Sequence, residues 1–157
     1  MIDLFHAIEF SAAGQAIKTS SWAFPVIEAV HLLALSVIGG AVLIVDLRML
    51  GLGLRRQTVA DIARDAYPIL VASLAVMLVT GAMLFMSEAI KCYGSYPFRI
   101  KMSALALAIV FTFTVRRRAT RAAEGRIRPA AYRTVALVSL MLWFTVGAAG
   151  RWIGFSG

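Results

Sequence analysis

In "FPVIEAVHLLALSVIGG", residues 24–40, a glutamate and a histidine stand three residues apart in an otherwise apolar run. Positions three apart are neighbours on a helix surface, so Glu28 and His31 share nearly one face. Imidazole exchanges protons near neutral pH and is the commonest metal-binding side chain, and a carboxylate one turn away can orient it or pass it a proton. A histidine in a span can equally serve only to hydrogen-bond a neighbouring helix. Four further ionisable groups border apolar runs: Glu88, Arg99, Lys101 and Arg151. Near a membrane interface such side chains can snorkel and stay hydrated, which is their simplest use. His6, the only other histidine, has no second ligand nearby in sequence and is expected to be an exposed imidazole. The single cysteine, Cys92, excludes an internal disulfide and any multi-cysteine metal site. Met83, Met86 and Met102 are expected to pack, although a thioether can also ligate haem iron.

These groups must be carried by membrane-spanning elements. The chain is 61% hydrophobic and 15% charged, with mean hydropathy +0.82, well above the apolar share of a soluble domain. Four apolar runs, about 22–45, 67–90, 97–115 and 134–155, are each long enough to cross the hydrocarbon core. A helix is their expected form, since lipid leaves no partner for open backbone groups. The spacing predicts an all-α integral membrane four-helix bundle forming one domain over residues 1–157. Ahead of the first span, Leu4, Phe5, Ile8 and Ala12 fall on one helical stripe, which predicts a short segment lying at the interface. "MIDLFHAIEF" lacks a basic region and a small-residue cleavage site, so the first span is expected to serve as its own insertion signal.

The formal charge of +8 and the pI near 10.6 come from arginines set beside the apolar runs, which is a topology signal rather than a nucleic-acid footprint. The first connection carries Arg48, Arg55, Arg56 and Arg64, and the third carries Arg116, Arg117, Arg118, Arg121, Arg126, Arg128 and Arg133. The second carries only Lys91, Arg99 and Lys101. Both termini are therefore expected outside, with the basic connections inside and drawn to anionic lipid. Counting along the spans, His31 lies about 9 Å below Pro25 and Lys101 about 6 Å below Pro97. Glu88 and Arg151 close their spans on the same side, so four helices deliver charge towards one level. Ionisable groups within a span are costly, and their convergence suggests a buried polar site. At the other side, Asp46 and Arg48 in "VDLRML" are candidates for an ion pair locking helices together. Gly39, Gly40 and "GAAG" at 147–150 are suited to close helix packing, and Trp22, Tyr67, Tyr93, Tyr96 and Trp152 to interfacial anchoring.

Taken together, "WAFPVIEAVHLLAL", "VDLRMLGL", "FRIKM" and "LMLWFTVGAAGRWIGF" resemble an uncharacterised family of small bacterial four-span membrane proteins over nearly the whole chain. More distantly, a histidine early in the first span, an arginine near its inner end and a lysine opening the third resemble the bacterial membrane protoporphyrinogen oxidases of the HemJ type. That resemblance implies haem b and an inner-membrane location. It places the family's histidine at His31, its lysine at Lys101 and its arginine at Arg48. The chain departs from that pattern at Glu28, in "KCYGSYPFR" and in "GRWIGF". On this footing His31 is expected to be an axial ligand, with Lys101 as second ligand or propionate partner. Glu28 would orient the imidazole or carry a proton, and Arg151 or Arg99 would pair with propionates. The expected function is electron transfer or small-substrate oxidation at the outer side, with a quinone, a redox partner protein or a second copy of the chain as partner. Two other readings compete. A CopD-like metal transporter also places histidine in an early span, though two histidines and one cysteine are poor provision for it, and a cofactor-free anchor subunit of a larger complex needs no such residues.

Overall fold

The computed structural model describes residues 2–53, 56–122 and 128–155; Arg55 and Arg126 of the basic connections lie outside the described residues. The chain is all-α. Two short helices, α1 (Ile2–Glu9) and α2 (Ala12–Thr19), precede the long helices α3 (Ala23–Met49) and α4 (Val59–Ser87). A short α5 (Ala89–Gly94) leads into α6 (Tyr96–Phe111), which continues through a π-helical turn (Thr112–Arg116) into α7 (Arg117–Arg121); α8 (Pro129–Phe155) closes the chain. Ala23–Met49, Val59–Ser87, Tyr96–Arg121 and Pro129–Ile153 are long and apolar enough to cross a membrane, making this a multi-pass membrane protein.

The spans outrun the apolar runs at the arginine-rich end, because charged turns there remain helical and are properly capped. Thr58 starts α4 eight residues before the expected border: its hydroxyl accepts from Asp61 N at 3.1 Å and donates to Asp61 Oδ2 at 2.7 Å. After α3, Gly51 takes φ +82°, the left-handed conformation of a helix stop. Leu52 N then donates to Leu47 O at 2.9 Å and Gly51 N to Arg48 O at 3.0 Å, satisfying carbonyls the helix leaves open.

α3 packs along α4, α6 along α8, and α3 against α8. Ile38 and Val42 of α3, Leu74 and Met77 of α4, Leu105 and Ala108 of α6, and Trp143 and Val146 of α8 share the central core. The large apolar side chains left outside, such as Leu33, Val79, Leu107 and Phe144, face where lipid would lie. α4 meets the third span at the basic end, where Tyr67 and Phe113 stack edge to face with centroids 6.3 Å apart.

That end is also locked by charge, though not by the expected pair. Asp46 bonds Arg116, not Arg48: Arg116 Nε stands 2.9 Å from Asp46 Oδ1, and Arg116 Nη2 donates to Val42 O at 3.2 Å. Two residues apart on a helix, Asp46 and Arg48 point roughly 200° away from each other. Arg48 instead donates from Nε to Gln57 O at 2.8 Å, tying down the connection after α3.

The N-terminal stripe is broken. Ala12 is exposed, and Gly14 and Ile17 are the buried positions of α2, because the turn at Phe10–Ser11 resets the helical phase. Rather than standing apart, α1 and α2 cover the end opposite the basic connections. Phe5 packs on Phe85 and Tyr93. A Cβ on Gly14 would sit 2.7 Å from Met86 O and 2.8 Å from Glu9 O, so only glycine lets α2 approach α4 this closely. Glu9, 4% exposed, receives Lys18 Nζ at 2.5 Å and caps α5 by accepting from Ile90 N at 2.8 Å.

The Lys18 hydrogen bond, followed by that from Ile90 N, holds the Glu9 carboxyl below its usual value of 4.5. A depressed carboxylate stabilises the fold above its unfolded pKa, and that stability is lost as pH falls through the lower folded value. Acidifying below about 4.5 is therefore expected to loosen the α1–α5 junction, while Glu9→Gln abolishes this pH response and speeds exchange of the Ile90 amide about tenfold at neutral pH, about 1.4 kcal/mol, the order of the difference between a charge-assisted bond and a neutral one. Amide hydrogen exchange across pH 3–7 checks both.

Candidate functional site

At the end away from the basic connections, the bundle opens into a cavity of about 220 Å³. α3 contributes Glu28 and His31, α4 contributes Gly81 and Phe85, and α5 contributes Lys91 and Cys92. α6 contributes Phe98 and Lys101, and α8 contributes Gly147, Gly150 and Arg151. Four of the five site residues expected from the sequence, His31, Lys101, Glu28 and Arg151, thus line one space. Arg99 does not. It is exposed, with Nη2 3.5 Å from Tyr93 O, because two positions before Lys101 on a helix its side chain leaves on the other side.

His31 lies at the depth of the site and is only 7% exposed. Its Nδ1 is 3.0 Å from Thr80 Oγ1. With the Thr80 hydroxyl giving its hydrogen to Val76 O, 2.7 Å away, it can accept from the ring, the arrangement in which Nδ1 carries the imidazole proton and Nε2 keeps its lone pair. Beside it, a Cβ on Gly81 would come within 3.1 Å of His31 Cε1, so the glycine makes room for the ring. The imidazole is therefore oriented by Thr80 and not by Glu28, whose side chain is exposed and makes no hydrogen bond to it.

Lys101 is half-buried, and its ammonium makes no hydrogen bond or ion pair among the described residues. Its stem crosses Gly150, where an added Cβ would meet Nζ and Cε at an ordinary 3.5 Å. Arg151 sits exposed, its guanidinium 4.5 Å over the Phe155 ring. Glu88, half-buried at the start of α5, adds a carboxylate opposite the cationic groups. Burial, with Glu88 nearby, pushes the Cys92 thiol up to about 11, so it stays protonated and is a poor soft-metal ligand. His6 lies exposed on Phe10, away from the cavity, and Met83, Met86 and Met102 do not line it.

Thr80 and Gly81 escaped the sequence reading. The dipeptide "TG" inside an apolar span was the available signal, as a hydroxyl beside a missing side chain marks a place where another group approaches. Among the described residues no three His, Cys, Asp or Glu side chains come together as a metal site. The arrangement offers one fixed imidazole with a free lone pair, one unpaired amine, and a mouth bearing carboxylates and a guanidinium. A model described as a family of unknown function, DUF6644, matches residues 4–156. No curated protein and no solved structure matches.

Proposed function

The chain belongs to the DUF6644 family of unknown function, and from that premise we propose that it is a haem b protein of the bacterial inner membrane, serving electron transfer or small-substrate oxidation at the outer side. The carrying observation is His31: it lines the cavity, and its Nδ1 is engaged by Thr80, so Nε2 is the nitrogen available to a ligand. A bare transition metal asks for three or four protein ligands, whereas a porphyrin brings four nitrogens and asks for one or two. A single imidazole with an unpaired lysine fits the second provision.

The remaining lining supports the same reading. Phe24, Leu35, Leu84, Phe85 and Phe98 supply apolar wall, and Gly147 and Gly150 leave α8 flat. About 220 Å³ is small beside typical ligand pockets, so part of the ring's area would lie outside the enclosed space. Arg151 is placed to pair with carboxylates at the mouth, and Lys101 to act as a second ligand or as a further carboxylate partner. Thr80 holds the imidazole in register, Gly81 admits it, and Glu28 and Glu88 can relay protons between solvent and the site. When bound, the haem would supply one-electron redox chemistry, and a quinone or a redox protein would be its exchange partner. The positive-inside rule favours the arginine-rich connections in the cytoplasm, with the cavity and both termini on the opposite, outer side.

Purified in mild detergent, the protein is expected to show a Soret band, with sharpened α and β bands on adding dithionite. A featureless spectrum after expression with added haem overturns the reading and favours an anchor subunit or a transporter. Lys101→Ala is expected to shift the bands if the amine ligates iron. An unchanged spectrum with weaker haem retention assigns Lys101 to the propionates instead.

A further inference from the structure

The basic end holds a second, smaller cavity, remote from the His31 site. Its volume is about 30 Å³, and Tyr67, Thr112, Arg116, Arg117 and Thr120 face it alongside small apolar side chains. That is room for a water or two, or for one monatomic ion.

Its wall holds donors without partners. Thr112, 4% exposed, accepts from Trp143 Nε1 at 3.2 Å, and its own hydrogen meets no acceptor among the described residues. Arg117 Nε is buried and has no hydrogen-bond partner, while its guanidinium carbon lies 4.9 Å over the Tyr67 ring. Arg116 engages Asp46 with Nε and Val42 O with Nη2, which leaves Nη1. Among the described residues Asp46 balances Arg116, whereas no carboxylate pairs with Arg117. The wall therefore carries one uncompensated positive charge. A water here could give its hydrogens to the Tyr67 and Thr120 hydroxyls, but it would leave the positive charge uncompensated. A monovalent anion needs only donors, and it cancels the charge.

We infer that this cavity binds a single halide ion, chloride under ordinary conditions, held by Thr112, Arg116 and Arg117. The ion sits between the π-helical turn of the third span and α4, whose Tyr67 lines the same cavity.

The test is thermal unfolding of the full chain in nonionic detergent, replacing sodium gluconate by sodium chloride or bromide at constant ionic strength. A saturating rise in Tm of about 5 °C or more is expected at halide concentrations far above Kd. Thr112→Val and Arg117→Gln are each expected to remove the rise, while Arg118→Gln, at an exposed neighbouring arginine, keeps it. Thr112→Ser retains the hydroxyl and should retain the response even if Thr112→Val folds poorly. No rise, or a rise that persists in Thr112→Val and Arg117→Gln, overturns the site and leaves the cavity to water. Crystals grown in bromide add a direct reading: an anomalous peak between Thr112 and Arg117 supports the assignment, and a featureless cavity refutes it.

Discussion

Replacing His31 by alanine is expected, on the proposed haem b reading, to abolish the haem absorption of the purified protein while leaving its helix content intact. Among the described residues the imidazole is the only ring nitrogen donor lining the cavity, so on that reading no other side chain would take its place. The fold tolerates its loss better than the cofactor does, because Thr80 keeps its bond to Val76 O and no buried charge is exposed. Two companion experiments separate ligation from simple cavity damage. Added imidazole should restore the Soret band in His31→Ala, which a merely structural role would not allow. Thr80→Val, which removes the acceptor on Nδ1, should weaken haem retention about 10–100-fold without abolishing it, as is usual when a group holding a ligand is lost. Full pigment in His31→Ala would sink the assignment.

Asp46→Ala is expected to be the most destabilising single change in the bundle. Asp46 is fully buried and Arg116 nearly so, and removing one partner of a buried ion pair strands the other charge, at a cost of about 3–5 kcal/mol. For a chain of this size each kcal/mol moves Tm by roughly 2–4 °C, so a fall of about 10 °C or more should be read in detergent. The double change Asp46→Leu with Arg116→Met should recover most of the loss, because it removes both desolvated charges together. If Asp46→Ala melts within a degree or two of the parent, water reaches the pair and the lock is weaker than its burial implies.

Much of the site was legible because depth can be counted along a helix. His31, Lys101, Glu28 and Arg151 were placed at one level by their distance from the span ends, and they do face one cavity. Rotation about the helix axis was less legible. Arg99 shares that level but leaves the helix on the other side, and Arg48 is the wrong neighbour for Asp46 for the same reason. Arg116 was hidden further by the π-helical turn at Thr112–Arg116, since a turn of different pitch changes which face the following residues present. Thr80 and Glu9 act across elements far apart in sequence, at separations of 49 and 81 residues from His31 and Ile90. No periodicity within one segment encodes such a pairing.

The seat of α1 has a consequence for the order in which the protein is made. Glu9 leaves the ribosome long before Ile90, the backbone group it caps, and before Phe85 and Tyr93, against which Phe5 rests. Until the second span is inserted and α5 has been synthesised, the N-terminal helices have nowhere to dock, and their apolar side chains wait at the membrane surface. Docking of α1 and α2 onto α4 and α5 is therefore a late event in biogenesis, later than formation of the α3–α4 hairpin that carries the histidine and its threonine.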